Sequence, residues 1–401
     1  MKRMRYKIYT FGCKTNQYES QVYKEQLEKM GCIEDNNADI FIINSCSVTK
    51  FSERKSILLL KKIRSKYPRS KIFFTGCSFF KVKEDDKVKV VSNLEKEDLI
   101  YKIFPNKKFL FKISKFSLHT RAFVKIQDGC NNFCSYCIIP NTRGRSRSRD
   151  IEDILLEVKD LLNNGYKEVV LTGINVGEHK ELLDLLKKLV KLKKLERIRL
   201  SSIDPSDIDK DLLDLFLKEE KICSSIHMVL QSGSDRILKF MNRKYRMKDF
   251  LKIVEYLKSR DEDFTFTTDI IVGFPKEGEE DFVKTLKIIE FVKFLKVHLF
   301  PFSRRENTKA YFYKEIEKKI VEERKKILLQ KTENISFDVR EKYLNRKMDV
   351  LVEDNFFGYT KNFLPLKILN EKNFRNNIKT VFIKKNCKNN LLGEVYEDKN
   401  F

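Results

Sequence analysis

The feature that most constrains the fold is a regular alternation of short apolar runs and amphipathic segments over the first hundred residues. The apolar runs have the length and composition of strands, and the segments between them have helical periodicity. Strands are predicted at 6–11, 39–44 and 71–75, and helices are predicted at 17–30 and 52–66. This βαβαβ order predicts an α/β fold whose first part is a doubly wound parallel sheet.

A cysteine follows each of these three predicted strands within two residues. The three are Cys13, Cys46 and Cys77. Because the carboxyl ends of parallel strands lie at one edge of a sheet, the thiols should converge there. Taken singly, each free cysteine is more often a small buried hydrophobic residue, which is the alternative. Three cysteines at equivalent strand ends favour a shared metal or cluster site.

A second alternation begins after a basic, weakly patterned stretch at 105–120, which we expect to be a linker. Its strands are predicted at 122–127, 168–172, 197–201, 225–230, 264–272 and 296–300. Six βα units predict a full or partial parallel barrel. A charged helical stretch at 309–346 is followed by short strands typical of a small β-barrel. The expected domains are therefore 1–104, 121–340 and 341–401.

The sharpest motif is Cys130-x-x-x-Cys134-x-x-Cys137, directly after the first strand of the second alternation. Three thiolates leave one iron of a four-iron cluster open to another ligand. A structural zinc site needs a fourth ligand, and the next histidine, His179, lies 42 residues further on. A redox pair of Cys134 and Cys137 is the other alternative, although such pairs open a thioredoxin-type helix without a third cysteine. The motif favours an iron-sulfur cluster.

The chain is strongly basic, with 82 Lys and Arg against 58 Asp and Glu. A net charge of +24 favours a polyanionic partner such as RNA, although codon bias toward lysine is an alternative. Between positions 107 and 149, ten basic residues accompany one acidic residue, Asp128. The candidate phosphate contacts are Arg143, Arg145, Arg147 and Arg149; the alternative for them is a solvated loop.

The sequence has no export signal and no apolar run long enough to span a membrane, so we expect a cytoplasmic protein. In that reducing compartment its nine cysteines are not expected to form disulfides. Cys32, Cys223 and Cys387 are expected to be packing residues or bystanders. The four histidines, His119, His179, His227 and His298, are expected to form no ligand set.

Five further stretches form recognisable motifs: Gly12-Cys-Lys-Thr-Asn-Gln-Tyr-Glu-Ser20, residues 121–140 with Arg143-Gly-Arg-Ser-Arg147, Leu200-Ser-Ser-Ile-Asp-Pro205, Leu230-Gln-Ser-Gly-Ser-Asp235 and Met241-Asn-Arg-Lys-Tyr245. Together they resemble the radical-SAM methylthiotransferase family, in which SAM is S-adenosyl-L-methionine. Within the family, Lys14-Thr-Asn-Gln-Tyr-Glu-Ser20 and Gly358-Tyr-Thr-Lys-Asn-Phe363 resemble the MtaB branch. That branch acts on threonylcarbamoyladenosine beside the tRNA anticodon.

The resemblance implies a partial (β/α)6 radical-SAM barrel between the doubly wound domain and a small TRAM-like RNA-binding barrel. Cys130, Cys134 and Cys137 would hold the 4Fe-4S cluster that binds SAM, from which a 5'-deoxyadenosyl radical is generated. Cys13, Cys46 and Cys77 would hold an auxiliary 4Fe-4S cluster that carries the inserted sulfur. The substrate would be tRNA modified at position 37, and the electron donor would be of flavodoxin or ferredoxin type.

The resemblance also implies turns that contact SAM. They are Thr172-Gly173-Ile174-Asn175 and Gly273-Phe274-Pro275, for which plain βα turns are the alternative. Two positions depart from the family pattern. Lys276-Glu277-Gly278 stands where the family usually has Gly-Glu-Thr, and Asn307 stands where it usually has Gly. Both departures bear on loop shape and SAM contacts.

Three other functions are compatible with these motifs. The nearest are the family branch that modifies isopentenyladenosine in tRNA and the branch that modifies a ribosomal protein. A different class is a non-catalytic iron-sulfur protein that binds RNA. Only the last class predicts RNA binding without cleavage of SAM.

Overall fold

The structure is a computed structural model that describes residues 3–107, 109–116, 119–369 and 374–396. Positions 108, 117 and 118 of the predicted linker lie outside the described residues, as do 370–373 and 397–401 of the predicted third domain. Within the described ranges, no helix has both the length and the apolar character needed to cross a membrane.

The amino-terminal unit is a five-stranded parallel sheet with helices on both faces. Its elements are β1 (Arg5–Thr10), α1 (Lys14–Lys29), β2 (Ile33–Glu34), β3 (Ile40–Ser45), α2 (Lys50–Lys66), β4 (Lys71–Gly76), β5 (Val88–Val90) and α3 (Leu99–Ile103). The strand order β2-β1-β3-β4-β5 is common among doubly wound sheets. The winding reverses between β1 and β3, and such sheets bind ligands beyond the carboxyl ends of the strands at that point.

The centre of this sheet is buried on both faces, and the first four residues of β3, Ile40 to Ile43, are all apolar. Ile40 and Ile42 pack into one core with helix α1, whereas Phe41 and Ile43 pack into another core with helix α2. Alternate residues of a strand point to opposite faces, so one continuous apolar run supplies both cores. The sheet therefore holds its strand ends rigidly.

The central unit is an open barrel with six parallel strand positions. Its elements are β6 (Ala122–Lys125), β7 (Gln127–Asp128), α4 (Ile139–Arg143), β8 (Arg147–Ser148), α5 (Ile151–Asn163), β9 (Glu168–Thr172), α6 (Leu182–Leu189), β10 (Arg197–Leu200), β11 (Ser202–Ile203), α7 (Lys210–Lys218), β12 (Ser225–Met228), α8 (Asp235–Phe240), α9 (Met247–Lys258), β13 (Thr265–Val272), α10 (Glu279–Val292), β14 (Lys296–Pro301) and α11 (Lys318–Glu341). Single 3-10 turns lie at Phe79–Lys81, Lys96–Asp98, Val176–Glu178, Pro205–Asp207, Lys309–Phe312 and Asp354–Phe356.

Two parallel sheets make up the barrel wall. One has the order β10-β9-β6 and the other has the order β11-β12-β13-β14. Only Ser201 separates β10 from β11, so the two sheets meet along one strand path. No ladder joins β6 to β14 among the described residues, which leaves the barrel open on that side.

The carboxyl-terminal unit is a small closed barrel. Its strands are β15 (Lys347–Val352), β16 (Phe357–Thr360), β17 (Pro365–Ile368), β18 (Ile378–Asn386) and β19 (Leu391–Val395), in the order β15-β16-β17-β19-β18. Arg197 and Arg199 of β10 donate hydrogen bonds to its backbone carbonyls, including that of Tyr359 at 3.0 Å. Arg197 is the first residue of β10, and Thr265, the first residue of β13, donates to the carbonyl of Asn362 at 2.6 Å. The small barrel therefore contacts the amino ends of these two strands.

The predicted α/β class, parallel sheets and small closed barrel are confirmed. Helix α5 spans 151–163 as predicted, since Asp150 caps it by accepting hydrogen bonds from the N–H groups of Glu152 and Asp153. The strands β2 and β5 and the helix α3 were not predicted, because they are too short to show a period.

The predicted linker at 105–120 packs against both of the units that it joins. It has no helix or strand among its described residues, yet Ile113 and Phe116 are buried in the central core. The carboxylate of Glu25 in α1 accepts hydrogen bonds from the backbone N–H groups of Ser114 and Lys115. The connector therefore fastens the first unit to the second.

Candidate active site

The first cysteine triad lies just beyond the carboxyl ends of β1, β3 and β4. Thr10 is paired with Asn44, and Asn44 is paired with Thr75, so these strand ends form one row. The cysteines that follow this row are Cys13, Cys46 and Cys77. Gly12 has a φ of +93°, and a Cβ atom there would lie 2.6 Å from the sulfur of Cys46. Only glycine permits this close approach.

The two buried thiols of this triad, Cys46 and Cys77, have raised pKa values. Burial, with a further contribution from Cys77 and Cys13, raises the pKa of Cys46 to about 12. Burial also raises the pKa of Cys77, where Arg143 acts in the opposite direction. Metal ligation requires thiolates, so loading of a cluster at this triad must release protons.

The spacing of the donor atoms separates a cluster from a single ion. Among the described residues, one set of three metal-ligating side chains has all donor atoms within 4.8 Å of one another, namely His227, Asp269 and His298. Neither cysteine triad meets that spacing. A zinc ion binds each thiolate at about 2.3 Å and so brings its sulfur ligands close together. A four-iron cluster binds each thiolate through a different iron, so its sulfur ligands lie further apart. The two sets of three thiols therefore fit iron-sulfur clusters better than zinc.

A buried ion cluster joins the first triad to the central barrel. Arg143 donates from Nε to the Sγ of Cys77 at 3.1 Å, and from Nη1 to Glu19 at 3.0 Å and Asp128 at 2.9 Å. Lys96 pairs with both carboxylates. Burial alone would raise the pKa of Glu19, but Arg143 and Lys96 lower it to about 2. An arginine of the central unit thus donates a hydrogen bond to a cysteine sulfur of the first unit.

The second triad lies on the loop between β7 and α4. The sulfur atoms belong to Cys130, Cys134 and Cys137. Gly129 has a φ of +73°, and a Cβ atom there would clash with the carbonyl oxygen of Arg145. The N–H of Ser135 donates to the carbonyl of Met241 at 2.9 Å, and the N–H of Ala310 donates to that of Ser135 at 2.7 Å. The loop is therefore anchored at two sites far away in sequence.

Charged side chains also surround the second triad. Arg243 donates from Nη1 to the Sγ of Cys134 at 3.2 Å and pairs with Asp204 at 2.6 Å. The thiol of Cys130 donates to the carboxylate of Glu178 at 3.4 Å. Each triad thus has one sulfur that accepts a hydrogen bond from a buried arginine. Hydrogen bonds of this kind tune the potential of a cluster.

The structure separates the two turns that were expected to contact SAM. Thr172 and Gly173 line the central cavity described below. Asn175 instead bonds within the protein, because its side chain donates to Asp207 at 2.5 Å and accepts from the N–H of Asp204. A Cβ atom on Gly173 would lie 2.8 Å from the amide oxygen of Gln127, which accounts for glycine at this position.

The second turn is packed away from the cavity. Phe274 is fully buried in an apolar cluster with Ile237, Met241 and Ala310. Gly273 has a φ of +71°, and a Cβ atom there would clash with Val321 of α11. The residues Gly273, Phe274 and Pro275 therefore shape the end of β13, and none of them lines the cavity.

Both departures from the family pattern fall at left-handed backbone positions. Lys276 has a φ of +74° and Asn307 a φ of +63°. Glycine adopts this conformation without strain, asparagine adopts it readily, and lysine does so at some cost. The ammonium of Lys276 lies 4.3 Å from the ring centroid of Phe240, a favourable cation–π contact. The loops thus keep a glycine-like backbone with other side chains.

The four candidate phosphate contacts differ in exposure. Arg143 is fully buried in the ion cluster, so it does not offer its guanidinium to a phosphate and the expectation for it is wrong. Arg149 is held by the carboxylate of Glu157 at 2.6 Å and the hydroxyl of Tyr18 at 3.0 Å. Arg145 and Arg147 are exposed. Alternation along the sequence did not reveal which arginines face inward.

A cavity of about 820 Å³ lies inside the barrel and extends to the small carboxyl-terminal barrel. Cys13 and Lys14 enter it from the start of α1, and Thr172 and Gly173 enter it from the end of β9. Its far wall is aromatic, formed by Phe357, Tyr359 and Phe363. Cys13 of the first triad and the first turn therefore open onto one space.

Lys14 projects into this cavity. Solvent in the cavity reaches the side chain, while protein surrounds it on most sides. Burial and the positive charges of Arg121 and Arg199 lower the pKa of Lys14 to about 8. Among the described residues, no carboxylate pairs with its ammonium within 4.0 Å, although Glu168 and Asp269 attract it from further away.

Sequence reasoning missed one set of polar residues in the cavity. His227, Asp269 and His298 lie on the neighbouring strands β12, β13 and β14, a grouping that the sequence analysis, which expected no ligand set among the histidines, did not predict. His227 contacts Asp269 at 3.4 Å and Thr267 at 2.9 Å. These residues are far apart in the chain. Their shared inward position on predicted barrel strands was the available signal.

Two family models match the chain. One, described as the Radical SAM superfamily, matches residues 124–289, and the other, described as Uncharacterized protein family UPF0004, matches residues 5–100. Among solved structures, the radical S-adenosylmethionine methyltransferase TsrM from Kitasatospora setae is similar with a TM-score of 0.54 and 12% identity, over 77% of each chain. Residues 124–289 thus belong to the Radical SAM superfamily, and the solved structure has a similar fold.

Curated relatives narrow this class. Threonylcarbamoyladenosine tRNA methylthiotransferase MtaB of Chlamydia pneumoniae is 45% identical over 87% of this chain and 86% of that protein. The MtaB protein of Thermotoga maritima is 38% identical over 86% of each chain. The tRNA-2-methylthio-N(6)-dimethylallyladenosine synthase of Alkaliphilus oremlandii is 36% identical over 88% of this chain and 83% of that protein. The chain belongs to the radical-SAM tRNA methylthiotransferase family.

Proposed function

We propose that this protein is a tRNA methylthiotransferase that converts N6-threonylcarbamoyladenosine at position 37 to its 2-methylthio derivative. The observation that carries the proposal is the single cavity shared by Cys13 of the first triad and by Thr172 and Gly173. A base in that cavity would lie between a sulfur-bearing site and a SAM-binding site. The threonylcarbamoyl substrate is supported by the names of the relatives from Chlamydia pneumoniae and Thermotoga maritima.

The proposed cofactors are SAM and two 4Fe-4S clusters. The clusters would be held by Cys13, Cys46 and Cys77 and by Cys130, Cys134 and Cys137. When bound, these groups would supply radical chemistry and the sulfur and methyl groups for the adenine ring. The C2 hydrogen of adenine is not acidic and its carbon bears no leaving group, so acid-base or nucleophilic catalysis alone has little to act on.

The protein's own residues would hold and orient these groups. Arg143 and Arg243 would donate to one sulfur of each triad, at the positions where they already donate to Cys77 and Cys134. The packed turn at Gly273, Phe274 and Pro275 would support the SAM site from behind. Thr172 and Gly173, which line the cavity, would border that site together with Asn175, which follows them in the chain. The barrel wall and the small carboxyl-terminal barrel would limit the access of water to the reacting base.

The wider assignment forms part of the same proposal. The auxiliary-cluster domain would span 1–104, the radical-SAM core 121–340 and the TRAM-like RNA-binding domain 341–401, with 105–120 between the first two. Arg145 and Arg147 would contact tRNA phosphates. A flavodoxin- or ferredoxin-type protein would supply electrons, and the reaction would take place in the cytoplasm.

Mass spectrometry of tRNA nucleosides tests the function. The protein is expressed in a host that lacks its own methylthiotransferases, and a strain with the empty vector serves as control. We expect 2-methylthio-threonylcarbamoyladenosine only where the protein is present. Detection of the 2-methylthio-isopentenyl product would support the enzyme class but contradict the proposed substrate. The absence of both products would contradict the proposed tRNA function.

Iron analysis tests the number of clusters. We expect about eight iron atoms per anaerobically reconstituted chain, and about four in the Cys46→Ala and Cys134→Ala variants, since each loses one cluster. Cys387→Ala is the matched control, because Cys387 belongs to neither triad, and should retain all the iron. Equal iron content in Cys46→Ala and the unaltered protein would contradict the auxiliary cluster.

A further inference from the structure

The cavity carries positive charge that the protein does not neutralise. Its described lining has five basic and two acidic side chains. Three of the basic residues have partners, because Arg199 pairs with Glu168 at 2.9 Å, Lys388 with Glu333 at 3.9 Å, and Arg340 bonds to Asn386 at 3.2 Å.

Lys14 and Lys296 are the remaining two basic residues of the described lining, and neither ammonium has a carboxylate within 4.0 Å there. Lys296 and His298 lie on the same face of β14, because alternate residues of a strand share a face. Asp269 is paired with His298 in the neighbouring strand β13. Lys14, from the first unit, lines the same cavity, so two ammonium groups from separate units border the space beside the carboxylate of Asp269. The ammonium of Lys14 also lies 5.8 Å from the ring centroid of Phe123. Cations without a carboxylate partner beside an acceptor and two imidazoles suit a ligand that has both an anion and hydrogen-bond donors.

We propose that this wall binds the N6-threonylcarbamoyl group of the substrate nucleotide, an inference that rests on the proposed function. Lys14 and Lys296 bind the threonyl carboxylate, and Asp269 accepts a hydrogen bond from the threonyl hydroxyl. His227 and His298 face the ureido group. An isopentenyl group has no carboxylate, hydroxyl or ureido group, and would leave these side chains unpaired. A site built for polar groups rejects an analogue that lacks them.

A second carboxylate is present in the reaction, since SAM carries one on its methionyl end. That end would lie at the second triad, because Cys130, Cys134 and Cys137 would hold the cluster that binds SAM. Cys130, Cys134 and Cys137 do not line the cavity within the described chain, whereas Lys14 and Lys296 do. The position of the two ammonium groups therefore favours the threonyl carboxylate.

The test measures binding of anticodon stem-loop RNA to the anaerobic, cluster-loaded protein. Two RNAs differ only at position 37, which is threonylcarbamoyladenosine in one and adenosine in the other. The protein variants are Lys14→Met and Lys296→Met. The matched control is Lys29→Met, which removes the same charge from the exposed far end of α1. Iron content verifies that each variant keeps both clusters.

The unaltered protein should bind the modified stem-loop more tightly than the unmodified one. Each cavity variant should lose about 10- to 100-fold of that preference, as expected for a charge-assisted hydrogen bond, with little change for unmodified RNA. Lys29→Met should retain the preference. SAM cleavage by the reduced protein in the absence of RNA should be the same in Lys29→Met as in the unaltered protein.

Three results would overturn the inference. One is loss of SAM cleavage with retained RNA preference in Lys14→Met, because the carboxylate would then be that of SAM. Another is equal affinity for the two stem-loops in a protein whose activity still yields the 2-methylthio-threonylcarbamoyl nucleoside. The proposed function would then stand, but the proposed binding wall would not. The third is a stoichiometric divalent metal that His227→Ala removes, because the histidine and aspartate set would then be a metal site. Failure of the proposed function itself would appear as the absence of that nucleoside.

Discussion

At the scale of single residues, Arg143 has the most demanding position in the molecule. Its guanidinium is fully buried and bonds to Cys77, Glu19 and Asp128. A buried charge is stable only when it is paired and hydrogen-bonded, and each partner here depends on the others. The same side chain therefore serves both the junction between units and the sulfur of a proposed cluster ligand.

Replacing Arg143 with methionine should destabilise the fold. Glu19 and Asp128 would stay buried with less positive charge around them, so the expected loss is about 3–5 kcal/mol in the free energy of unfolding. Urea unfolding of the cluster-free protein measures it. Arg145→Met, in the same segment but exposed, should change the free energy of unfolding by about 0.5 kcal/mol or less. Similar losses of unfolding free energy in the two variants would contradict the conclusion that Arg143 stabilises the fold through its buried ion pairs.

At the scale of secondary structure, the end of α10 has an unfavourable residue. Lys293, which directly follows the helix, has a φ of +55° and a ψ of +62°. Its N–H donates to the carbonyl of Ile289 and ends the helix in the left-handed conformation. Glycine is the usual residue at such an end, because a side chain costs free energy there.

Lys293→Gly should therefore stabilise the protein by about 1 kcal/mol. The matched control is Lys287→Gly, an exposed position inside the same helix, which should destabilise it by about 1 kcal/mol. The midpoints of chemical denaturation of the two variants should shift in opposite directions. A shift in the same direction would show that the left-handed conformation of residue 293 does not determine the effect of glycine on stability.

Periodicity explains how much of the fold could be predicted. Strands and long helices repeat their apolar residues regularly, so α5 and the barrel strands were found from the sequence. The carboxyl-terminal position of cysteines on parallel strands also placed Cys13, Cys46 and Cys77 together in advance. Side-chain direction in loops has no such period, and for that reason the burial of Arg143 was missed. The meeting of His227 and His298 depends on which strands are neighbours.

At the scale of the whole molecule, positive charge remains exposed near the second triad. Arg145 is exposed, and its guanidinium stacks over the ring of Phe133 at 4.3 Å from the centroid. Phe133 is itself 47% exposed. An arginine supported by an aromatic ring and open to solvent is well placed to contact a phosphate.

Arg145→Gln should weaken tRNA binding and make it less dependent on salt. Loss of one phosphate contact lowers the slope of log K against log salt concentration by about one. Arg69→Gln, at an exposed position of the amino-terminal unit, is the control and should leave the slope unchanged. Affinity measured over a range of salt concentrations gives both slopes. Equal slopes for all three proteins would show that Arg145 does not contact an RNA phosphate.

The ion cluster around Arg143 has a consequence for synthesis on the ribosome. Glu19 and Lys96 belong to the first unit, but Arg143 emerges about forty residues after that unit ends. Until then, Glu19 lacks one of the cations that it meets in the finished protein. The amino-terminal sheet can therefore reach its final stability only after the cysteine loop of the barrel has been made, so the two proposed cluster sites mature as a pair.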